Sequence, residues 1–259
     1  MGIYNCEKTL KEAVGSIQAQ TYANWELILC DDGSSDGTLC VAKELAESDD
    51  RILVTGNRIN EGLNRSLNKC LALASGTYIA RMDGDDISMP DRFEQQVGFL
   101  ETHSEFDIVS SWMELFDETG TWGEVKTPEY PSARNVVLGT PICHAPAMIR
   151  KKSIDEVGGY SEDPETLRVE DVDLWIRLYK TGHLCYNIQN TLYRMRNDRN
   201  AFNRRKYKYR INSSRVRIRG CKDFQLGAGC YLRSLKPMLI GLIPGRIRHF
   251  FRKQRYRTS

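Results

Sequence analysis

Apolar residues recur every three or four positions over residues 7–20, where Leu10, Ala13, Val14 and Ile17 fall on one side of a helix. The pattern then changes: residues 25–30 form a short, mostly apolar run that ends in Asp31-Asp32-Gly33, which predicts a strand. The alternation continues with a helix over 38–47, a strand over 51–55, a helix over 63–74 and a strand over 77–82. Each strand closes on turn-forming residues, DDGSSDG, GNRINEG and DGDD. Strands alternating with amphipathic helices imply βαβ crossovers, hence an α/β fold with a mostly parallel sheet covered by helices on both faces. Ligands of such sheets bind beyond the carboxyl ends of the strands, where these polar loops fall.

Past Pro90, Phe93, Val97 and Leu100 mark another helix. Residues 106–122 read as a strand plus hairpin, 142–150 as a strand, 173–180 as a helix closed by Gly182, and 184–188 and 191–195 as strands. No internal repeat is visible. At the front, Met1-Gly2-Ile3-Tyr4-Asn5 leads directly into the first helix, so the strand expected before that helix is nearly absent. A central strand lost in this way leaves backbone donors and acceptors unpaired. The expectation is a start upstream of Met1, or a weakened domain.

Composition sharpens this picture in two ways. A hydrophobic content of 41% with 20 Gly and 8 Pro excludes a wholly disordered or collagen-like chain. The net charge of +3 conceals two electrostatic parts: residues 194–259 carry 20 basic and 2 acidic residues, and residues 1–193 carry 17 basic and 32 acidic. No apolar stretch approaches the ~20 residues that cross a bilayer, and no basic-then-apolar leader is present. The eight cysteines lie nine or more residues apart, without a zinc-type pair, and read as small buried thiols of a reducing compartment.

Three acidic clusters carry the candidate chemistry: Asp31-Asp32, then Asp83-Gly84-Asp85-Asp86, then Glu170-Asp171 with Asp173. Singly, each also reads as turn formers or as first-turn acids favoured by a helix dipole. Together they concentrate negative charge at one sheet edge, which costs stability unless a cation or a donor-rich ligand lies between them. Asp83 and Asp85 are hard oxygen donors on a turn, suited to Mg²⁺ or Mn²⁺ that completes its shell with phosphate oxygens and water, and Gly84 leaves room for a ligand against the backbone. The chain has neither the GxxxxGK[ST] phosphate loop nor GxGxxG after its first strand.

The segments Tyr4-Asn5-Cys6-Glu7, QTYANWELILCDDGSSDGT at 20–38, Asn60-Glu61-Gly62 with LNRSLNKCLALASGTYIARMDGDD at 63–86, Pro141-Ile142-Cys143-His144, VGGY at 157–160 and VEDVDLWIRL at 169–178 together resemble a family-2 glycosyltransferase of GT-A type. The resemblance covers residues 4–196. It implies a nucleotide-sugar donor, usually a UDP-sugar, a divalent metal, and inversion at the anomeric carbon. It implies further that Tyr4 and Glu7 hold the base and ribose, that Asp32 hydrogen-bonds the uracil, that Asp83 and Asp85 form the metal and diphosphate motif, and that Asp171 is the catalytic base.

The neighbouring residues carry paired readings. Glu170 contacts the acceptor, and Asp173 caps a helix beginning at Leu174. His144 is either a hydrogen-bonded structural residue or a metal or diphosphate ligand. Trp175 is core or the floor of a sugar site. Arg65 and Arg81 are solvated charges or reach the diphosphate oxygens.

Residues 197–259 form a basic helical extension of the 1–196 domain. Its aromatic and cationic residues could grip nucleic acid, but no nucleic-acid motif accompanies them. Leu235, Met238, Leu239, Leu242, Ile247 and Phe250 alternate with Arg246, Arg248, Arg252 and Lys253, a pattern that favours the surface of an anionic membrane over a packed helical cap. The expected protein is a cytoplasmic, peripheral, metal-dependent glycosyltransferase that builds surface polysaccharide or lipopolysaccharide on a glycan or lipid-linked acceptor. A sugar-phosphate nucleotidyltransferase and a non-catalytic nucleotide-sugar or nucleic-acid binding module are the alternatives.

Overall fold

The computed structural model describes residues 1–197 and 206–242. The N-terminal half alternates as the apolar periodicity dictates: β1 (Gly2–Ile3), α1 (Leu10–Gln18), β2 (Leu27–Asp31), α2 (Thr38–Ser48), β3 (Ile52–Gly56), α3 (Leu63–Leu73) and β4 (Tyr78–Ala80). Then follow β5 (Ile87–Ser88), α4 (Arg92–Thr102), β6 (Ile108–Asp117), β7 (Gly120–Val125), α5 (Ala133–Leu138), β8 (Met148–Arg150), α6 (Lys151–Glu156), α7 (Glu170–Lys180) and β9 (Cys185–Arg196). The C-terminal helices are α8 (Tyr207–Asp223), α9 (Ala228–Ser234) and α10 (Lys236–Leu242).

Parallel pairing is confined to β1–β2–β3 and to β6–β9. The second sheet, ordered β4-β8-β6-β9-β5 with β7 beside β6, is otherwise antiparallel, which corrects the expectation of a mostly parallel sheet. The reason is connectivity: β6 and β7 join by a tight hairpin, and β8, reached through α5, runs antiparallel between β4 and β6. The expected strand at 142–150 shrinks to β8, because Pro141 and Pro146 remove ladder donors and Ala147 N turns back to His144 O. The two strands expected at 184–188 and 191–195 are one, β9, with register shifts against β6 near Trp112. The short front strand does exist: β1 pairs Gly2 with Cys30 and Ile3 with Asp31.

Two large apolar clusters flank the sheets, beside a small third one of Ile28, Cys30 and Cys70. One gathers α1, β2 and α4 through Leu10, Val14, Leu29 and Leu100, and the other gathers α5, α7 and β8 through Val137, Ile149, Leu174 and Trp175. α8 joins the second cluster with Val216 and Cys221. A methyl group on Gly220 would stand 2.8 Å from both Ile176 and Val137, so the absence of a side chain sets how closely α8 approaches α7. Cys221 and Cys230 form a disulfide between α8 and α9, which corrects the expectation of thiols throughout. The apolar and basic residues read beyond residue 242 lie outside the described residues.

Arg217 is the polar counterpart of that packing. Its guanidinium donates to the carbonyls of Val137 and, at 3.1 Å, Gly139, satisfying the end of α5 from a position only 9% exposed. Hydrogen bonds from a charged donor contribute about 1.5–3 kcal/mol each. Arg217→Met should therefore lower the unfolding free energy by about 2–4 kcal/mol in a urea titration and speed proteolysis between α7 and α8.

Candidate active site

The carboxyl ends of β2 and β4 and the first turn of α7 bring the acidic clusters to one edge. Asp31 ends β2, and its carboxylate accepts from Ser34 N and Ser34 Oγ, an Asx turn that bends the chain away from the strand. Asp32 is 4% exposed and holds the next loop: Oδ1 accepts from Asn57 Nδ2 at 2.8 Å and Glu61 N at 2.9 Å, and Oδ2 from Gly62 N at 2.9 Å. About one of its four lone-pair directions stays open for a donor such as a base N–H.

Asp83, Asp85 and Asp86 form a cluster whose ligand oxygens all lie within 4.8 Å of one another. Their roles differ. Asp86 is 1% exposed and both its oxygens are taken, by Tyr193 Oη at 2.8 Å and Arg196 N at 2.7 Å. Asp83 Oδ1 accepts from Arg81 Nη2 at 2.5 Å, while Tyr193 Oη also accepts from Asp83 N at 3.3 Å. Burial and the adjacent Asp83 charge push the Asp85 carboxyl up to about 6. Burial and then the Asp83 and Asp85 charges hold Asp86 well above the usual carboxylate range. Asp83 and Asp85 are left to offer hard oxygen donors outward, a set that fits Mg²⁺ or Mn²⁺. Gly84 serves a different end from the one expected: a side chain there would meet Cys6 Sγ and Ile3 Cγ2 at 3.0 Å, so it admits β1 and not a ligand.

Behind this turn stand two buried cations. Burial alone would lower the Arg81 guanidinium, but Asp83, Tyr193, Tyr160 and Asp86 together outweigh it and hold the group above its ordinary value. Arg92 is wholly buried, donates from Nη2 to Arg81 O at 2.8 Å, lies 5.2 Å from the Tyr193 ring centroid, and is pushed by burial down to about 10. Residue patterning marks Arg92 only as a helix start, and neither its role nor that of Tyr193 has a local signal.

α7 begins at Glu170, three residues earlier than its apolar pattern indicates, so three carboxylates share its first turn. Asp171 Oδ1 accepts from Val172 N at 2.8 Å. Burial and the Asp171 charge push the Glu170 carboxyl up from its ordinary range. Asp173 does not cap the helix: it is 1% exposed and pairs with Arg177 at 2.8 Å and with Arg219 of α8. Tyr160, the last residue of VGGY, links the clusters. Burial raises its hydroxyl above the ordinary range, the charges of Glu170, Asp83 and Asp171 act in the same direction, and Arg81 opposes them.

The remaining candidates divide. His144 Nε2 lies 2.9 Å from Tyr160 Oη, and burial followed by the Arg81 charge holds the imidazole well below its ordinary value, hence neutral. It is not one of the three clustered acidic ligands among the described residues. Trp175 is 2% exposed, edge-on to His144 at 5.8 Å, so the reading as a sugar floor gives way to core. Arg65 is drawn into exposed pairs with Glu61 and Glu162 and does not point at the acidic turn. Tyr4 is 49% exposed, and Glu7 Oε2 accepts from Gly37 N at 3.0 Å, just ahead of α2.

Tyr193→Phe keeps the buried ring and removes the hydroxyl that joins Asp83 N to Asp86. Leaving a buried acceptor without its donor costs about 1–3 kcal/mol, so urea unfolding should show a loss of that size.

Residues 1–158 match the sequence profile described as Glycosyl transferase family 2. Over 256 residues, 98% of this chain and 92% of the relative, the sequence is 43% identical to the putative glycosyltransferase EpsE of Bacillus subtilis (strain 168). Among solved structures, S. aureus TarS 1-349 in complex with UDP-GlcNAc superposes with a TM-score of 0.71 at 15% identity, over 97% of this chain and 77% of that one. The mannosyltransferase PcManGT from Pyrobaculum calidifontis, solved with GDP-Man and Mn²⁺, superposes with a TM-score of 0.65 at 16% identity, over 98% of this chain and 77% of that one. These likenesses give the fold as α/β of GT-A type, and the sequence match gives the membership: the chain belongs to glycosyl transferase family 2.

Proposed function

We propose that this glycosyltransferase moves a sugar, with inversion, from a nucleotide-sugar donor of the UDP type to a hydroxyl of a lipid-linked or glycan acceptor during assembly of a surface polysaccharide. The observation that carries the reading is the clustered Asp83–Asp85 pair, with one Asp83 oxygen held by Arg81, in the same electrostatic neighbourhood as Glu170 and Asp171. TarS with UDP-GlcNAc and PcManGT with Mn²⁺ support a nucleotide-sugar donor and a divalent metal on this fold.

Asp83 and Asp85 are the residues that would hold Mn²⁺ or Mg²⁺, which as a Lewis acid stabilises charge growing on a leaving diphosphate. Asp32 offers its remaining acceptor direction to the base, and Tyr4 and Glu7 border the same loop. Asp171 takes the proton from the acceptor hydroxyl as its oxygen attacks the anomeric carbon and the bond to the diphosphate breaks. Asp171 and Glu170 share the first turn of α7, where the helix favours negative charge. Glu170, beside that base, contacts the acceptor.

Thermal-shift measurements with nucleotide sugars and Mn²⁺ test the assignment. Asp85→Ala should lose the metal-dependent rise in Tm. Asp171→Asn should keep that rise and lose turnover by a hundredfold or more, the scale of a general base at about 10²–10⁴. Unchanged behaviour of both variants refutes the site. Release of pyrophosphate from a nucleoside triphosphate would point instead to nucleotidyl transfer.

The same reading places the protein on the cytoplasmic face of an anionic membrane. Leu232 and Leu239 are 71% and 61% exposed on α9 and α10, next to Arg233 and Lys236. No helix of the described residues is long and apolar enough to cross a membrane. The full chain should sediment with phosphatidylglycerol liposomes at low salt and lose that binding as salt is raised, because the Debye length falls from about 30 Å at 0.01 M to about 3 Å at 1 M.

A further inference from the structure

The loop between Tyr160 and α7 is held from both neighbouring helices. Asn64 of α3 donates to Ser161 O at 2.6 Å, and Asn212 of α8 donates to Pro164 O at 3.0 Å and to Leu167 O at 3.3 Å. Thr166, wholly buried, closes the turn by donating its hydroxyl to Ser161 O and Asp163 O. The chain leaves this turn through Arg168, whose φ of +66° lies in the left-handed region. A side-chain-bearing residue keeps that conformation only where its surroundings hold it there. Glu170 and Asp171 follow at once.

Charge on this loop is unevenly answered. Glu162 pairs with Arg65 at 3.2 Å, Glu165 pairs with Arg215 at 2.6 Å, and Asp163 accepts from Glu165 N at 2.8 Å. Arg168 is exposed and has neither an ion pair nor a side-chain hydrogen bond among the described residues. Its charge nevertheless reaches the site: burial and the Asp171 charge raise the Glu170 carboxyl, and Arg168 acts against them. Leu167 beside it is 40% exposed. An unanswered guanidinium next to the base, with an exposed apolar side chain adjoining it, matches a ligand that joins an anion to an apolar chain. A neutral glycan would leave the charge unanswered, and a free sugar acid would leave Leu167 in water. The helix that holds this loop also carries exposed leucine: a side chain on Gly241 of α10 would stand 2.6 Å from Tyr207 and 2.7 Å from Arg210, so α10, with Leu239 61% exposed, packs on the first turns of α8.

We propose that Arg168 binds the phosphate of a lipid-linked acceptor, with Leu167 against the first carbons of the lipid, and so holds the acceptor hydroxyl near Asp171. The planar guanidinium fork suits two phosphate oxygens at once. The left-handed backbone fixes where the side chain starts, and Asn212 fixes that backbone. The inference rests on the transfer reading above and narrows its acceptor to a lipid phosphate. Transfer to a neutral glycan would make no use of Arg168.

The test titrates farnesyl diphosphate calorimetrically into the full chain at about 0.15 M salt, where a Debye length of about 8 Å screens the basic tail. EDTA keeps divalent metal out, so the probe cannot be held through Asp83 and Asp85. Arg168→Gly suits the left-handed backbone and should leave Tm unchanged. It should raise the Kd for the probe by about tenfold or more, the scale of a lost charge-assisted pair. Arg168→Lys keeps the charge without the fork and should recover part of the affinity. Lys43→Ala, which removes an exposed charge on α2, should change nothing. Equal affinity of Arg168→Gly and the unsubstituted chain would overturn the proposal, as would no binding to either, or an equal loss in Lys43→Ala. Inorganic pyrophosphate or farnesol bound as tightly as farnesyl diphosphate would overturn it too, by assigning the place to a free anion or to an apolar ligand. Because no metal is present, this measurement can fail while the donor and metal assignments stand, and the converse also holds.

Discussion

The acidic edge depends on one arrangement, the hydroxyl of Tyr193 held between Asp83 N and the Asp86 carboxylate. It closes the turn after β4 onto the end of β9, and Arg196 adds its own amide to Asp86 and its Nε to Asp85 O at 2.9 Å. Three carboxylates within one turn repel one another. The structure answers this by making Asp86 an acceptor of two donors, by giving Asp83 an arginine, and by leaving Asp85 crowded. Arg81 and Arg92 stand behind the turn at a desolvation cost that only close partners offset. The acids and the arginines thus hold each other in place.

Much of the scaffold could be read from local pattern. Helical periodicity located α1, α2, α3 and α4, and apolar runs ending in Asp and Gly located β2 and β4, because element type follows from which side chains share a face. Pairing does not follow from that information. β8 beside β6, and β9 read as two strands, depend on contacts between residues tens of positions apart, and Pro141 and Pro146 interrupt what composition alone presents as a strand.

The site was legible where chemistry clusters in sequence, as at Asp83 and Asp85, and illegible where it is assembled across the chain. Arg92 and Tyr193 look like ordinary helix and strand residues until folding brings them to the acidic turn. Trp175 shows the converse. Its neighbours Glu170 and Asp171 invite a ligand-facing reading, yet the helical turn points its ring into the core, and 2% exposure decides the matter. Along α7, neighbouring carboxylates differ in burial and partners through position alone.

Asp173 gives that helix a connection outside its own turn. It sits two residues from Asp171, buried, and one of its two guanidinium partners belongs to Arg219, 46 positions later on α8. The disulfide of Cys221 with Cys230 and the docking of Arg217 on α5 fix the same stretch of α8. The catalytic lobe and its basic appendage are therefore mechanically one piece at this point. A force on the appendage, such as tethering to a surface, would be borne at the foot of the helix that carries Asp171.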